Sequence, residues 1–377
     1  MKTIYYWCPF VSRVATVRSV IKSAESLKKY SNKKFEPVII NVAGEWNNFT
    51  KNTNHLNIRI IKLTNSNILD ESNWTGFIKS RIIYLYIFFL AIIPLYNFLN
   101  KKKPEYIIIH LISSLPLFLN FLLNLKTKII LRISGIPKLN LVRNLFWRVV
   151  LKKTYLITSP TIATLQDLKK KNFYPNKLVL LNDPILTPSE IVKKKNEKSK
   201  IQGNYFISVG RLTKQKNFEF LIKNISKKIK KNSSILLYIF GNGEEEKKLR
   251  NLISKLGLEN NIKLFQYSEN IYNYLCNSRG FILSSLWEDP GFVLVEAAYL
   301  NVPILSSDCK NGPREILNYG KNGILFKSND PESFSKKFDE FLNLDNNKKK
   351  VFQLNAKKYI KRFSLFSHFL QIQKILT

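Results

Sequence analysis

Short apolar runs alternate with helical segments along the whole chain, and the alternation is played through twice. In the first half, 3–8, 37–42, 58–63, 106–110, 128–133 and 155–158 read as strands, with helices at 14–30, 113–124, 139–151 and 161–170. The second half has strands at 205–209, 235–240, 262–265, 280–283 and 303–306 and helices at 216–229, 244–256 and 292–300. Strands this apolar and this regularly separated by helices predict parallel sheets covered on both faces. Two such runs predict an α/β chain of two Rossmann-like domains. Its 377 residues and 45% apolar content are enough for two cores. Asn182, Asp183 and Pro184, then Pro188 and a lysine-rich stretch over 193–200, mark the linker. The expected boundaries are 1–185, 186–355 and a C-terminal helix over 356–377, part of a helical stretch from Val351 to Leu376.

The most telling segment runs from Ser284 to Ala298. The strand 281–283 is followed by a turn carrying Glu288 and Gly291, then by a helix from Phe292 that carries Glu296 about two turns in. Ligands of open α/β sheets bind where strands end at their carboxyl edge. Both carboxylates are therefore expected to face one ligand, with the amides of Gly291, Phe292 and Val293 as donors at a helix start. Upstream, Gly210-Arg211 and Lys216 follow a strand and open a helix, a position where Arg211 can grip phosphate oxygens and Lys216 can add a point charge. Gly241-Asn242-Gly243-Glu244 makes a tight turn after the next strand. Gly312-Pro313-Arg314-Glu315 reads mainly as a helix entry.

In this order, these segments resemble the retaining family 4 glycosyltransferases, which have the GT-B fold: two Rossmann-like domains facing a central cleft, with a C-terminal helix that crosses back. The resemblance is strong over roughly 200–330 and rests mainly on layout elsewhere. It implies that Glu288 sits near the transferred sugar and that Glu296 binds the ribose. It also implies that Arg211 and Lys216 hold the diphosphate, with Gly243 beside the nucleotide and 263–266 near the base. His110, at the end of a first-domain strand, would reach the sugar or acceptor. Arg132 and Ser134, at the next strand end, are expected on the acceptor side. The first turn departs from the family: Pro9 to Thr16 holds no glycine. Either Ser12 and Arg13 replace that contact, or the second domain holds the donor almost alone.

The implied reaction moves a sugar from a nucleotide diphosphate donor to a lipid-linked or surface-polysaccharide acceptor, with no cofactor. No HExxH, EF-hand loop, Asp-x-Asp or Cys/His cluster calls for a metal. Cys8, Cys276 and Cys309 are far apart, which fits a reducing cytoplasm. An epimerase or phosphorylase on the same fold, a charge-driven binder and an inactive scaffold are the rivals. Net charge is +35, with +20 in residues 1–185 and +15 in 186–377. Such a field favours phosphates and anionic membrane surfaces. Nucleic acid is not expected, for want of a recognisable module.

One segment is read separately. Residues 82–93 are twelve consecutive apolar residues, with Arg81 before them and Lys101 to Lys103 beyond. Spanning a bilayer takes about 20 apolar residues, and it would place strands of one sheet on opposite sides. Two readings remain: a buried helix of the first domain, or a helix dipping an aromatic-rich face into the inner surface of the membrane.

Overall fold

The computed structural model describes residues 1–11, 15–49, 56–70, 77–123, 125–137, 139–197, 201 and 203–377. Ser12 and Arg13 lie outside them. The chain forms two compact units, Met1–Pro184 with Leu365–Thr377, and Ile185–Ser364.

The first unit is a seven-stranded parallel sheet in the order β3-β2-β1-β4-β5-β6-β7. Its strands are β1 (Lys2–Trp7), β2 (Phe35–Asn41), β3 (Arg59–Lys62), β4 (Tyr106–Ile109), β5 (Lys128–Arg132), β6 (Leu156–Ser159) and β7 (Leu178–Leu180). Side chains alternate across a strand, so each strand feeds two cores. Tyr5, Trp7, Ile107, Ile109, Ile129 and Leu131 pack on one face. Ile4, Tyr6, Tyr106, Ile108 and Ile130 pack on the other. The first face is covered by α2 (Phe77–Lys102), α3 (Ser114–Leu123) and α4 (Leu141–Val150). α1 (Ala15–Tyr30) and the last helix cover the second. α5 (Ile162–Lys170) joins β6 to β7.

α2 divides the two readings of the apolar stretch between its faces. Ile83, Ile87, Ala91, Leu95 and Leu99, four residues apart, are buried in the core. That spacing makes one stripe of a helix. The other face carries exposed apolar side chains instead of charges.

The second unit has six parallel strands in the order β10-β9-β8-β11-β12-β13. They are β8 (Tyr205–Val209), β9 (Leu236–Phe240), β10 (Ile262–Phe265), β11 (Gly280–Leu283), β12 (Ile304–Ser307) and β13 (Ile324–Phe326). Again Tyr205, Ile207, Phe281 and Leu283 enter one core while Phe206 and Ile282 enter the other. The helices are α6 (Pro188–Lys195), α7 (Phe218–Ile229), α8 (Glu246–Lys255), α9 (Tyr272–Cys276), α10 (Phe292–Tyr299), α11 (Pro313–Ile316), α12 (Pro331–Leu342) and α13 (Asn346–Tyr359). The lysines at 193–195 thus end a helix, with Lys194 Nζ 3.0 Å from Glu190 Oε1, and are not loose linker.

The C-terminal stretch is not one helix from 351 to 376. It breaks over 360–364, and the units divide at Ser364, beyond the expected 355. The reason is burial: Ala356, Ile360 and Phe363 belong to the second unit's core, whereas α14 (Leu365–Leu376) packs Phe369, Ile372 and Leu376 beside α1.

α14 also carries His368, fully inside the first unit. Its Nε2 is 2.8 Å from Ser23 Oγ and its Nδ1 2.7 Å from Asn182 O. A neutral imidazole satisfies both by donating from Nδ1 and accepting at Nε2. Desolvation by burial pushes His368 down to about 4. The unfolded imidazole takes its proton near 6.5, so the unfolded chain binds more protons between those values. Stability from this group is present above 6.5 and is lost as pH falls toward 4. Buried Glu45 acts oppositely: desolvation raises it to about 7, so its contribution is lost as pH rises from about 4.5 to 7. The difference between wild type and His368→Gln isolates the histidine. From near pH 7 to about pH 4.5, we expect wild type to lose about 2 to 3 kcal/mol more than the variant in chemical denaturation. Parallel pH profiles would show that His368 titrates normally.

Candidate active site

In the second sheet the strand order reverses between β8 and β11. The crevice beyond the carboxyl ends at such a reversal is where open α/β sheets bind ligands. Four loops meet there, after β8, β9, β11 and β12.

Lys216 lies in the loop from β8 to α7 and reaches the loop after β11. Its Nζ is 2.6 Å from Glu288 Oε1, and both side chains are largely buried. Ser285 Oγ donates to the same Oε1 at 2.5 Å. Ser284 Oγ donates to Lys216 O at 2.8 Å, so the strand end holds both ends of the bridge. Gln215 fastens the two loops further. Its carbonyl accepts from Leu286 N at 2.9 Å, and its side-chain amide donates to Trp287 O at 3.0 Å. Arg211 is exposed beside them, within 3.4 Å of Gln215 Oε1. The loop after β12 supports Glu288 from behind: Asn311 Nδ2 donates to Glu288 O at 3.1 Å and Asp289 Oδ1 at 2.9 Å.

Gly291 precedes α10 at φ +104°, a left-handed conformation that suits glycine. The first amides of a helix have no intrahelical partner and carry its positive dipole end. Phe292 and Val293 occupy that place. Glu296 is the fifth residue of α10, just over one turn from its start, not two. It is buried and accepts from Tyr272 Oη at 3.1 Å. Gly243 has a packing reason of its own: a Cβ there would stand 2.3 Å from Leu212 O. The closeness is fixed by main-chain bonds, Leu212 N to Asn242 O at 2.9 Å and Glu245 N to Leu212 O at 3.0 Å.

In the first sheet the order reverses between β1 and β4. His110 follows β4 there, its amide donating to Trp7 O at 2.9 Å. The ring is 8% exposed, stacks 6.2 Å from Tyr6, and neither nitrogen has a hydrogen-bond partner. Burial first, then the Arg132 charge, drives its pKa well below the ordinary value, so the ring is neutral. Buried and unpartnered polar atoms are costly, and a ligand's hydroxyl would complete them.

Arg132 corrects an expectation. It is 4% exposed, with its Nε 3.0 Å from Asp183 Oδ1 and a terminal nitrogen on Oδ2. Its other terminal nitrogen meets Ser134 Oγ. Ser19 Oγ adds a 2.7 Å bond to Asp183. With all three guanidinium nitrogens engaged inside the fold, Arg132 closes an internal ion pair and is not presented to an acceptor, while Ser134 beside it is half-buried.

Sequence reasoning passed over Ser285, Gln215, Asn311 and Tyr272. Ser285 had a signal, a hydroxyl three residues before Glu288 in a strand-end turn. Tyr272 and Asn311 had none, since their partners are far along the chain. Among the described residues no group of three or more metal-ligating side chains gathers.

Residues 190–359 match the family described as glycosyl transferases group 1. The matched residues lie within the second unit, which is therefore similar to the group 1 glycosyl transferases. This domain holds the Lys216–Glu288 bridge, Arg211 and Glu296. An uncharacterized glycosyltransferase of Methanocaldococcus jannaschii is 43% identical over 135 residues, 32% of this chain and 33% of that protein. A Campylobacter jejuni enzyme is 26% identical over 247 residues, 63% of this chain and 66% of its own. Its name is N-acetylgalactosamine-N,N'-diacetylbacillosaminyl-diphospho-undecaprenol 4-alpha-N-acetylgalactosaminyltransferase. The chain thus spans between a third and two thirds of the length of these relatives. The crystal structure of Anabaena HepE with UDP and glucose superposes with a TM-score of 0.74, at 15% identity, covering 100% of this chain and 99% of that one. With its two parallel-sheet α/β units, the chain has the GT-B fold.

The Arg132 pair yields a stability prediction. Arg132→Met leaves Asp183 buried without its cation and should cost about 3 to 5 kcal/mol in chemical denaturation. Arg132→Met with Asp183→Leu should recover most of it. Unchanged stability with weakened acceptor use would instead restore the acceptor role.

Proposed function

We propose that the chain is a retaining glycosyltransferase that moves one sugar from a nucleotide diphosphate donor to a lipid-linked or surface-polysaccharide acceptor. The observation that carries this reading is the Lys216–Glu288 bridge at the strand reversal, with Arg211 and the start of α10 beside it. The bridge is neutral overall, so it cannot by itself bind a diphosphate. Arg211 and the helix dipole supply the surplus positive charge that a dianionic leaving group needs. Charge grows on the leaving diphosphate as the glycosidic bond breaks, and cations fixed in advance stabilise that state without reorganising. No metal is required in this scheme, and transfer should survive chelation.

Glu288 is assigned to the donor sugar. Its Oε1 is occupied by Lys216 and Ser285, which fixes the carboxylate plane and presents it in one orientation. Glu296 is assigned to the ribose hydroxyls, with Tyr272 setting its rotamer. His110, neutral and unpartnered, is assigned a hydrogen bond to the transferred sugar or acceptor. In retaining transfer of this type the acceptor hydroxyl approaches on the leaving-group side and the departing phosphate takes its proton. The acceptor class is supported by the diphospho-undecaprenol named for the Campylobacter relative. It would place the enzyme at the cytoplasmic face of a membrane.

A thermal-shift and turnover screen against UDP-, GDP-, ADP- and dTDP-linked sugars tests the reading. One donor should raise the melting temperature, and Glu296→Ala should abolish that shift. Lys216→Ala should lower kcat by about a hundredfold or more, and the product should keep the donor's anomeric configuration by NMR. Failure of every donor to stabilise the wild type would sink the proposal, and inversion at the anomeric carbon would sink the retaining mechanism.

A further inference from the structure

α2, α3 and α4 lie side by side over one face of the first sheet. Each buries one stripe and turns an apolar stripe outward. Among the described residues, 14 of the 25 exposed large apolar side chains belong to these three helices, so the exposure is concentrated, not scattered. Phe89 is 69% exposed, Ile93 68%, Leu122 62% and Leu141 88%. A contiguous apolar surface of this kind marks a site that another phase or molecule covers. Tyr84, Tyr86 and Tyr96 are also exposed on α2. Tyrosine is the residue that suits a boundary with an apolar and a wet side.

The charges around this surface are of one sign. From Arg81 to Lys153 the chain has twelve basic residues and a single acid, Glu105. Arg81 and Lys101, Lys102 and Lys103 bracket the outward stripe of α2, Lys126 follows α3, and Lys152 and Lys153 follow α4, all exposed. A second copy of the chain would bring the same positive charge against this face, which disfavours self-association. An anionic lipid surface complements both features at once: acyl chains for the apolar stripes and headgroups for the lysines.

Spanning is excluded by the same helix. α2 links β3 to β4, two strands of one sheet, and its stripe from Ile83 to Leu99 is locked in the core. With cations at both ends and the apolar face between them, the helix is built to lie in the plane of the interface.

We infer that the outer face of α2, α3 and α4 is a monotopic docking surface for an anionic phospholipid bilayer, inserting Leu85, Phe89, Ile93, Leu122, Leu141 and Leu145 to the depth of the headgroup boundary. The inference does not rest on the transfer reaction, because none of the residues on this face is assigned a part in it.

Flotation of the full chain with vesicles tests it. Wild type should float with phosphatidylcholine vesicles containing about a third phosphatidylglycerol, far less with phosphatidylcholine alone, and should stay bound in high salt. The Phe89→Asp/Ile93→Asp variant should lose at least about tenfold in partitioning, with unchanged circular dichroism and an unchanged melting temperature. Both substituted side chains are exposed, so the fold should persist. Lys101→Glu/Lys102→Glu/Lys103→Glu should erase the preference for anionic vesicles. Equal flotation of the aspartate variant, or release of wild type by salt, would show charge-only adsorption and overturn the inference. So would a dimer on gel filtration that the aspartate variant dissociates and that fails to float.

Discussion

Tyr205 and Ile207 point into one core of the second unit and Phe206 into the other, and the same division holds for Ile4 and Tyr5 in the first. A parallel sheet covered on both faces has no wet side, so its strands are apolar throughout. Polar groups that must meet a ligand then sit beyond the strand ends, in the loops and helix starts that follow them. The βαβ connections run one way round, and at the reversal between β8 and β11 the flanking helices diverge and leave a crevice. Gly210, Ser284 and Lys216 reach that crevice because their strands stop there. The Lys216–Glu288 bridge is a consequence of this constraint, and so is the neutral, unpartnered His110 at the corresponding reversal of the first sheet.

The bridge explains the loop chemistry around it. A buried charge pair is tolerated when its remaining polar atoms are satisfied. Ser285 completes Glu288, and Asn311 and Gln215 hold the main chain that presents it. Cys309, pushed up to about 12 by burial and next by the Glu288 charge, is a thiol kept inert under the site. The site is thus a small buried electrostatic network with an exposed cationic edge at Arg211.

Most of the architecture was legible because parallel strands and amphipathic helices write their period into the chain. β7 and β13 were not, being three residues each, too short to show alternation. Neither was α12, whose residues read as a polar surface stretch although Phe334, Phe338 and Phe341 bury one side. Within the site, Arg211, Lys216 and Glu288 announced themselves by lying in the turns after strands, and Glu296 by lying in the first turns of the helix that follows one. Arg132 shares that position and means something different. Its partner Asp183 is 51 residues away, and nothing local tells a cation bound for a ligand from one that closes an internal ion pair. The distinction is made by burial, which depends on the tertiary fold.

The apolar stretch 82–93 shows the same limit from the other side. Hydropathy alone equates a helix inside a protein with a helix against lipid, since both lose water. Here the four-residue stripe from Ile83 to Leu99 is committed to the sheet, which leaves the rest of the helix a separate physical problem. Aromatic and aliphatic side chains on that outer face weaken solubility unless something covers them. The near absence of acids from 81 to 153 then has a cause that general lysine richness does not supply, because richness in lysine does not remove glutamate and aspartate. A surface that repels other copies of itself and attracts anionic headgroups keeps the exposed apolar face from aggregating while still allowing it to be buried.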